Sequence, residues 1–229
     1  MCGRFTLTSD LTEFAKQLGV EFDPKKHNPR FNICPSQQVA VVLNDGSNTI
    51  MLARWGLVPA WAKDPSIGNR LVNARAEGIE SKACFRNSFK RRRCLVLSDG
   101  FFEWANRPGQ KLKIPYYFRL TSREVFGIAA LWDIWQEPRR KTQRLTVCLI
   151  TTTPNLLVEK VHDRMPVIIE PRFYNIWLSQ DEQPVERLKR CLEPYPAAQM
   201  ESYAVSTIVN SPGNDRAECI QRNGESGCH

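Results

Sequence analysis

The chain has 229 residues, of which 42% are hydrophobic and 24% charged, a composition typical of a globular domain with its own core. No apolar run approaches the roughly 18 residues that a membrane span requires, and the N-terminus lacks the pattern of a signal peptide, so we expect a cytoplasmic protein with no membrane partner. The net charge of +8 favours a polyanionic partner, nucleic acid first.

The eight cysteines predict neither a metal site nor a cofactor. They include no Cys-x-x-Cys pair, which argues against a zinc ribbon or a thioredoxin-type motif. Cys94 and Cys148 lie in the apolar runs "CLVL" and "VCLI", where we expect them to be buried as small hydrophobic residues.

The N-terminal third is predicted to begin with a short helix followed by a β-hairpin. Residues 10–19 form an amphipathic pattern with Asp10 as the N-cap and Gly19 as the stop signal. Residues 39–55 alternate as two strands around an Asn-Asp-Gly-Ser turn at 44–47. A loop rich in Pro, Gly, Asp and Asn then follows Trp61 and runs to Asn69.

Strands are predicted to dominate the middle of the chain, and helices to follow them. The strand-like runs are 93–104 (broken at Asp99-Gly100), 113–120 (after a turn at 107–110), 125–132 and 144–154. A short helix starting at Pro154 and one or two helices within 171–192 come next, and residues 200–209 form a last strand. We expect one α+β domain over 1–215, with a mainly antiparallel, barrel-like sheet and a few peripheral helices, and a polar tail over 216–229.

The opening "MCGRFT" offers chemistry that only a chain terminus can supply. If the initiator methionine is removed, Cys2 carries a free α-amine and a thiol on adjacent carbons. The alternative is a small residue at a frayed terminus.

Several polar residues occur where strand patterns alone would not place them. Glu103 lies among aromatic residues in "DGFFEW", where desolvation would raise its carboxyl pKa, although an alternating strand could also turn it to solvent. His162 in "VHDRMP" is either a helix cap or a proton shuttle. "NARAEG" places Asn73, Arg75 and Glu77 on one face of a strand, as a binding surface or as a solvated edge.

Basic and aromatic residues supply a second group of candidates. Trp55 and Trp61 in "RWGLVPAW" stand near arginines, a combination that stacks bases and neutralises phosphates, although tryptophans are more often buried in a core. The runs "KRRR" at 90–93 and "PRRK" at 138–141 are either binding patches or solvated loops.

Taken together, these segments resemble one family. "MCGRF", "FNICPSQ", "RWGLVPAW", "NARAEG", "RRRCLVLSDGFFEW", "HDRMPVII" and "VSTIVNSPGND" occur in the order characteristic of the SOS response-associated peptidase family, from residue 2 to about 215. The resemblance implies a protein that covalently captures abasic sites in single-stranded DNA. Two departures stand out: Ala62–Arg70 is longer than the family pattern, and no second tryptophan follows Trp61.

The resemblance also implies residue roles. The Cys2 amine would attack the aldehyde of the opened sugar, and the thiol would close a thiazolidine ring. Glu103 and His162 would move protons, and Asn73 would hold the sugar or the Cys2 terminus. The DNA contacts implied are Gly3, where a Cβ would crowd the sugar, Arg4, Arg75 and Arg164 at phosphates, and Trp61 and Trp104 at bases.

Two other functions remain open from the sequence. Cys2 could act as an N-terminal nucleophile that releases Met1, which is a cysteine autopeptidase activity; a lyase activity at the abasic site is a related possibility. A non-catalytic basic module would instead bind single-stranded nucleic acid by charge and stacking alone. In each case we expect a monomer.

Overall fold

The structure is a computed structural model, and it describes residues 2–106, 109, 113–137 and 142–224. Its strands are β1 Phe5–Leu7, β2 Arg30–Ile33, β3 Gln38–Leu43, β4 Met51–Trp55, β5 Asn73–Arg75, β6 Arg93–Ser98, β7 Gly100–Ala105, β8 Ile114–Leu120, β9 Phe126–Gln136, β10 Gln143–Thr152, β11 Met165–Pro166, β12 Ile168–Ile169 and β13 Met200–Ala204. Its α-helices are α1 Thr12–Leu18, α2 Arg86–Arg91, α3 Tyr174–Trp177 and α4 Val185–Arg190. The turn predicted at 107–110, apart from Gly109, and the basic run at 138–141 lie outside the described residues.

Five strands close into a barrel. Their order is β10-β4-β3-β6-β9, and β9 pairs back onto β10 along seven residues, from Gln136↔Gln143 to Ala130↔Leu149. Within this ring only the β10–β4 pair is parallel. The mainly antiparallel, barrel-like sheet with few short helices that the sequence predicts is therefore confirmed.

The barrel forms where the sequence is richest in β-branched and aliphatic residues. Every residue of β6 is buried, including Cys94 at 0% exposure, and Cys148 on β10 is also fully buried. Close packing extends to the backbone, because a Cβ at Gly127 would stand only 2.8 Å from a methyl carbon of Leu95. Both cysteines thus serve as core residues, as the sequence predicts.

A second sheet carries the N-terminus. Its order is β13-β8-β7-β1-β2, so β1 lies between β7 and β2. Phe5 pairs with Phe101, and the Phe102 amide donates to the Arg4 carbonyl at 3.0 Å. Continuing this antiparallel register places Gly3 opposite Glu103. The first residues of the chain thus lie beside the "GFFEW" strand, which is how the fold builds the site.

Two predicted helices differ from the observed ones. The first begins at Thr12, because Asp10 accepts a hydrogen bond from the Thr12 amide (2.7 Å) and Leu11 occupies the N-cap position. Gly19 ends it with a φ of +65°, as predicted. The helix predicted from Pro154 was wrong: only a 3-10 turn at Val158–Lys160 forms.

The short 3-10 turn has a physical cause. The Asn155 side chain accepts from the amides of Leu157 and Val158 and donates to the Tyr195 carbonyl, which fixes the start of the segment. A few residues later Arg164 ties the segment to Thr151. Contacts at both ends thus hold the segment that contains the 3-10 turn.

The chain beyond residue 206 packs against the outer face of the second sheet. It forms 3-10 turns at Thr207–Asn210 and Ala217–Ile220, and Cys219 is fully buried. The packing therefore continues past residue 215, while 225–229 lie outside the described residues. No helix in the described part of the chain is long and apolar enough to cross a membrane.

Candidate active site

Cys2 lies at the start of the strand region that leads into β1 and is fully buried with the main core. Its Sγ is 3.9 Å from the Arg4 carbonyl oxygen. Burial raises the pKa of the Cys2 thiol, and the neighbouring Glu103 carboxylate raises it further. The thiol is therefore protonated at neutral pH, and Glu103 is close enough to act on it electrostatically.

Glu103 lies on β7, opposite Tyr116 of β8, and is only 2% exposed. Burial raises its carboxyl pKa to about 7. A carboxyl group with this pKa is present in both protonation states near neutral pH, as a general acid or base requires. The prediction of a desolvated carboxyl among aromatic residues agrees with this geometry.

His162 follows the 3-10 turn and lies against Glu103, with Nε2 3.7 Å from Oε2. Burial lowers the pKa of His162, and the nearby Asp163 carboxylate opposes that shift. Its Nδ1 lies 3.0 Å from the Arg164 amide and 2.9 Å from a carboxylate oxygen of Asp163. The neutral ring accepts from the amide and the protonated ring donates to Asp163, so both states have a partner at Nδ1.

Arg164 holds the histidine segment to the barrel. It makes two hydrogen bonds to the Glu77 carboxylate, at 2.7 and 2.9 Å, and one to the Thr151 carbonyl at 2.6 Å. Its side chain is 11% exposed. Arg164 is therefore engaged within the protein, next to His162, and Glu77 has a positioning role that no local sequence pattern could assign.

Asn73 joins the N-terminus to the barrel. It belongs to β5, which runs parallel to β10, and its Nδ2 donates to the Cys2 carbonyl at 2.7 Å. Its buried Oδ1 has no hydrogen-bond partner in the described part of the chain. Arg75, two residues along the same strand, is exposed, whereas Ala74 between them is buried. Asn73 and Arg75 thus share one face, and Glu77 lies in the turn beyond the strand.

Arg4 and Trp104 form a second, partly exposed group beside the cluster. The Arg4 guanidinium lies 5.6 Å from the centroid of the Trp104 ring and donates to Asn32 (2.7 Å) and to the Val209 carbonyl (2.6 Å). Trp104 in turn donates to the Asn210 side chain at 2.7 Å. The C-terminal segment therefore orients both residues, a long-range contact that no local pattern predicts.

Asn32 connects Arg4 to the C-terminal segment, and the sequence analysis did not identify it. Its Nδ2 donates to the carbonyls of Val209, Ser211 and Asn214, while its Oδ1 accepts from Arg4. The available sequence signal was an asparagine inside the strand-like segment "FNIC". Its partners lie more than 170 residues later in the chain, so the sequence did not connect them.

Trp61 is exposed, with 64% of its surface accessible. The loop carrying it is fixed on either side: the Ala60 amide donates to Asp133 at 3.0 Å, and Trp135 donates to the Ala62 carbonyl at 2.8 Å. Trp55, by contrast, is fully buried in the core. Gly3, between Cys2 and Arg4, is half-buried.

Cys2, Glu103, His162 and Asn73 therefore meet at one place, with Arg4, Trp104 and Arg164 beside them. Within the described ranges, no group of three or more His, Cys, Asp or Glu side chains is arranged to hold a metal ion.

The fold and site define a class of mainly-β proteins in which a buried cysteine at the second position lies near a buried carboxyl group, which in turn contacts a histidine. The chain belongs to the SOS response associated peptidase (SRAP) family, whose model matches residues 1–212. The resemblance found in the sequence is thus confirmed.

Curated relatives carry a common name. "Abasic site processing protein YoqW" of Bacillus subtilis (strain 168) is 41% identical over 224 residues, covering 96% of this chain and 99% of its own. "Abasic site processing protein YoaM" of the same organism is 41% identical over 223 residues (96% and 97%). "Abasic site processing protein HMCES" of Xenopus tropicalis is 28% identical over 227 residues (86% and 67%).

Solved structures support the fold. A protein from Bacteroides thetaiotaomicron superposes with a TM-score of 0.86 at 24% identity, covering 96% of this chain and 99% of its own. A phage-related protein from Bordetella bronchiseptica gives a TM-score of 0.70 at 25% identity (89% and 94%).

Proposed function

We propose that this protein captures abasic sites in single-stranded DNA as a stable covalent adduct of Cys2, and that it acts in the DNA damage response. The names of the relatives support the substrate. The observation that carries the chemistry is the clustering of Cys2 with Glu103, His162 and Asn73. The proposal requires removal of Met1, which converts the Cys2 amide into an α-amine.

The amine reacts before the thiol. An α-amine has an ordinary pKa of about 7.7–8.0, so a substantial fraction is unprotonated near neutral pH, whereas burial keeps the Cys2 thiol protonated. The amine nitrogen adds to the aldehyde carbon of the opened sugar, and loss of one water gives an imine.

Glu103 then activates the thiol. It accepts the S–H proton, the sulfur adds to the imine carbon, and the nitrogen is protonated, which closes a five-membered thiazolidine. The overall reaction releases one water and needs no oxidant or reductant. A carboxyl group with a pKa of about 7 can both accept this proton and return it.

His162 supplies a further proton transfer, and Asn73 supplies hydrogen bonds. His162 alternates between the Arg164 amide and the Asp163 carboxylate as it loses and gains a proton, and it can therefore protonate the departing hydroxyl of the sugar. Asn73 fixes the Cys2 carbonyl, and its Oδ1 offers an acceptor to the new amine or to a sugar hydroxyl.

The DNA contacts follow from exposure. Arg75 and Trp61 are exposed, and we assign Arg75 to a phosphate and Trp61 to a base. Arg4 and Trp104, stacked together beside Gly3, offer a cation and an aromatic face next to the reacting carbon. Arg164 keeps its ion pair with Glu77 and its bond to the Thr151 carbonyl, so a phosphate binds at the exposed edge of its guanidinium.

The test is the adduct with a single-stranded oligonucleotide that contains one abasic site. The unsubstituted protein is expected to give an adduct that survives SDS and heat, and Cys2→Ala to give none, or only an imine that requires borohydride trapping. Cys34→Ala is the matched control, because Cys34 is also a buried thiol close to Arg4. A normal adduct with Cys2→Ala contradicts the proposal, as does equal affinity for intact and abasic strands.

A cysteine autopeptidase is the second candidate, favoured by the word peptidase in the family's description. Its substrate would be the Met1–Cys2 bond. Unprocessed protein incubated without an aminopeptidase would then lose Met1, whereas Cys2→Ala would keep it. Persistence of Met1 in the unsubstituted protein removes this candidate.

A further inference from the structure

A cavity of about 450 Å³ lies at the edge of the second sheet, where β8 and β13 meet the segment after residue 216. The charged residues that line it are Arg119, Arg123, Arg222 and Glu201. The cavity thus carries two more positive than negative charges, and the active-site cluster contributes none of its lining. Such a concave, cationic surface suits a phosphate group.

Two of these arginines are held by one aromatic ring. The guanidinium carbons of Arg119 and Arg222 lie 5.4 and 4.8 Å from the centroid of Tyr203. Arg119 also bonds Glu201 through Nε at 2.7 Å, while its two Nη atoms carry four further N–H donors. Stacking and ion pairing therefore fix the guanidinium groups in place, which lowers the entropic cost of binding an anion.

Arg123 supplies the third cation of the cavity. It occupies the turn after β8 with a φ of +61°, a conformation that glycine adopts freely and that costs a branched or long residue of the order of 1 kcal/mol. The strained backbone places an arginine at the cavity where a glycine would have been the stable choice.

A line of ring contacts links this cavity to the active site. The ring centroids of Trp104 and Phe102 are 6.4 Å apart, those of Phe102 and Tyr117 5.1 Å, and those of Tyr117 and Tyr203 5.7 Å. Arg4 stacks on the first ring and Arg119 on the last. The two cationic groups therefore belong to the same face of the second sheet, and the C-terminal segment covers the buried rings of Phe102 and Tyr117 between them.

The separation matches a short stretch of nucleic acid. Trp104 pairs with Pro115, and Arg119 lies four residues further along β8, which corresponds to roughly 13 Å along the strand. A single strand is more extended than one strand of a double helix, so this separation spans only a few nucleotides.

We propose that the Arg119–Arg123–Arg222 cavity binds a backbone phosphate of the DNA strand a few nucleotides from the lesion. The inference rests on the proposed function for its ligand but not on the covalent step. The affinity of the protein for DNA then depends on how far the strand extends on one side of the abasic site.

The test measures binding without covalent chemistry. Oligonucleotides carry a reduced abasic site, which has no aldehyde, flanked on each side by either about one or about ten nucleotides, so that only the longer one reaches the cavity. The variant Arg123→Gln/Arg222→Gln is compared with Lys16→Gln/Arg187→Gln, which removes the same charge from exposed positions elsewhere. Affinity is measured by fluorescence anisotropy at several salt concentrations.

We expect the cavity variant to weaken binding of the long oligonucleotide and to reduce its log–log salt slope by about 0.7 for each phosphate that is no longer neutralised. Binding of the short oligonucleotide, and the adduct rate at saturating DNA, should match the control variant. Equal losses of affinity with both variants, or equal losses at both lengths, would overturn the inference. Binding of inorganic phosphate at the cavity without any dependence on DNA length would also overturn it. Failure of adduct formation with Cys2 intact would instead contradict the covalent step alone.

Discussion

Glu103 and His162 show how burial prepares two neighbouring groups for proton transfer. The same desolvation raises the pKa of the acid and lowers that of the base, because it disfavours whichever form is charged. Both groups are therefore brought toward their neutral forms, with His162 Nε2 3.7 Å from the Glu103 carboxylate. A proton can then pass between them or to the substrate at small cost near neutral pH.

Glu103→Gln is expected to stabilise the protein as the pH rises. The folded pKa of about 7 exceeds the ordinary value of 4.5, so the folded state binds more protons and the stability due to Glu103 is lost as the pH rises from 4.5 through 7. The unfolding free energy of the variant relative to the unsubstituted protein should rise by roughly 2–3 kcal/mol across that range. Denaturant titrations at several pH values measure it, with exposed Glu21→Gln as the control. A difference that does not change with pH would contradict the shifted pKa.

Glu77→Gln tests whether Arg164 positions His162. The substitution removes the charge that holds the guanidinium but keeps an oxygen acceptor, and Glu77 is half-exposed, so we expect a stability loss of about 1 kcal/mol. We expect a several-fold slower adduct formation at saturating oligonucleotide, because the His162 segment loses its anchor. Glu80→Gln, which breaks the ion pair to Lys189, is the matched control. Equal rates for the two variants would exclude the positioning role.

At the level of elements, the site depends on the short strand β1 being held at both ends. Its far end is fixed by Asp99, whose carboxylate accepts hydrogen bonds from the Thr6 hydroxyl (2.5 Å) and from the amides of Thr8 (2.6 Å) and Ser9 (2.9 Å). Its near end is fixed by the bond from Asn73 to the Cys2 carbonyl. Because β1 has only three residues, Cys2 depends on these contacts for its position.

Asp99→Asn is expected to loosen β1. The substitution removes the negative charge that accepts these hydrogen bonds. It also places the new NH2 group against donors, with which it cannot form hydrogen bonds, so the unfolding free energy should fall by about 2–3 kcal/mol. Adduct formation should slow as well, since Cys2 is less firmly placed. Asp45→Asn, at a turn where the aspartate accepts from the Ser47 amide, is the control for both measurements. Unchanged stability would contradict the anchoring role.

Sequence reasoning succeeded for those elements that a local pattern determines, and it failed where distant contacts decide. The strand alternation located β7 and hence Glu103, and Gly19 marked the end of α1. The parallel pairing of β5 with β10 could not be foreseen, because it joins residues 73–75 to 149–151. The roles of Asn32 and Glu77 were missed for the same reason.

The whole molecule places its basic residues in two different environments. In the "KRRR" run, Arg93 is fully buried and donates to the carbonyls of Phe89, Trp177 and Ser179, whereas Arg91 is 77% exposed. The net charge of +8 therefore overstates the positive charge that a polyanion can reach. The charge that we propose for DNA contact belongs to Arg4 and Arg75 and to the arginines of the cavity.

Intact mass spectrometry of the protein mixed with an abasic oligonucleotide tests the central claim most directly. A single species should appear whose mass is that of the chain without Met1 plus the oligonucleotide minus one water, and it should persist after denaturation. A species that retains Met1, or an adduct that survives denaturation equally well when Cys2 is replaced by alanine, would contradict the account.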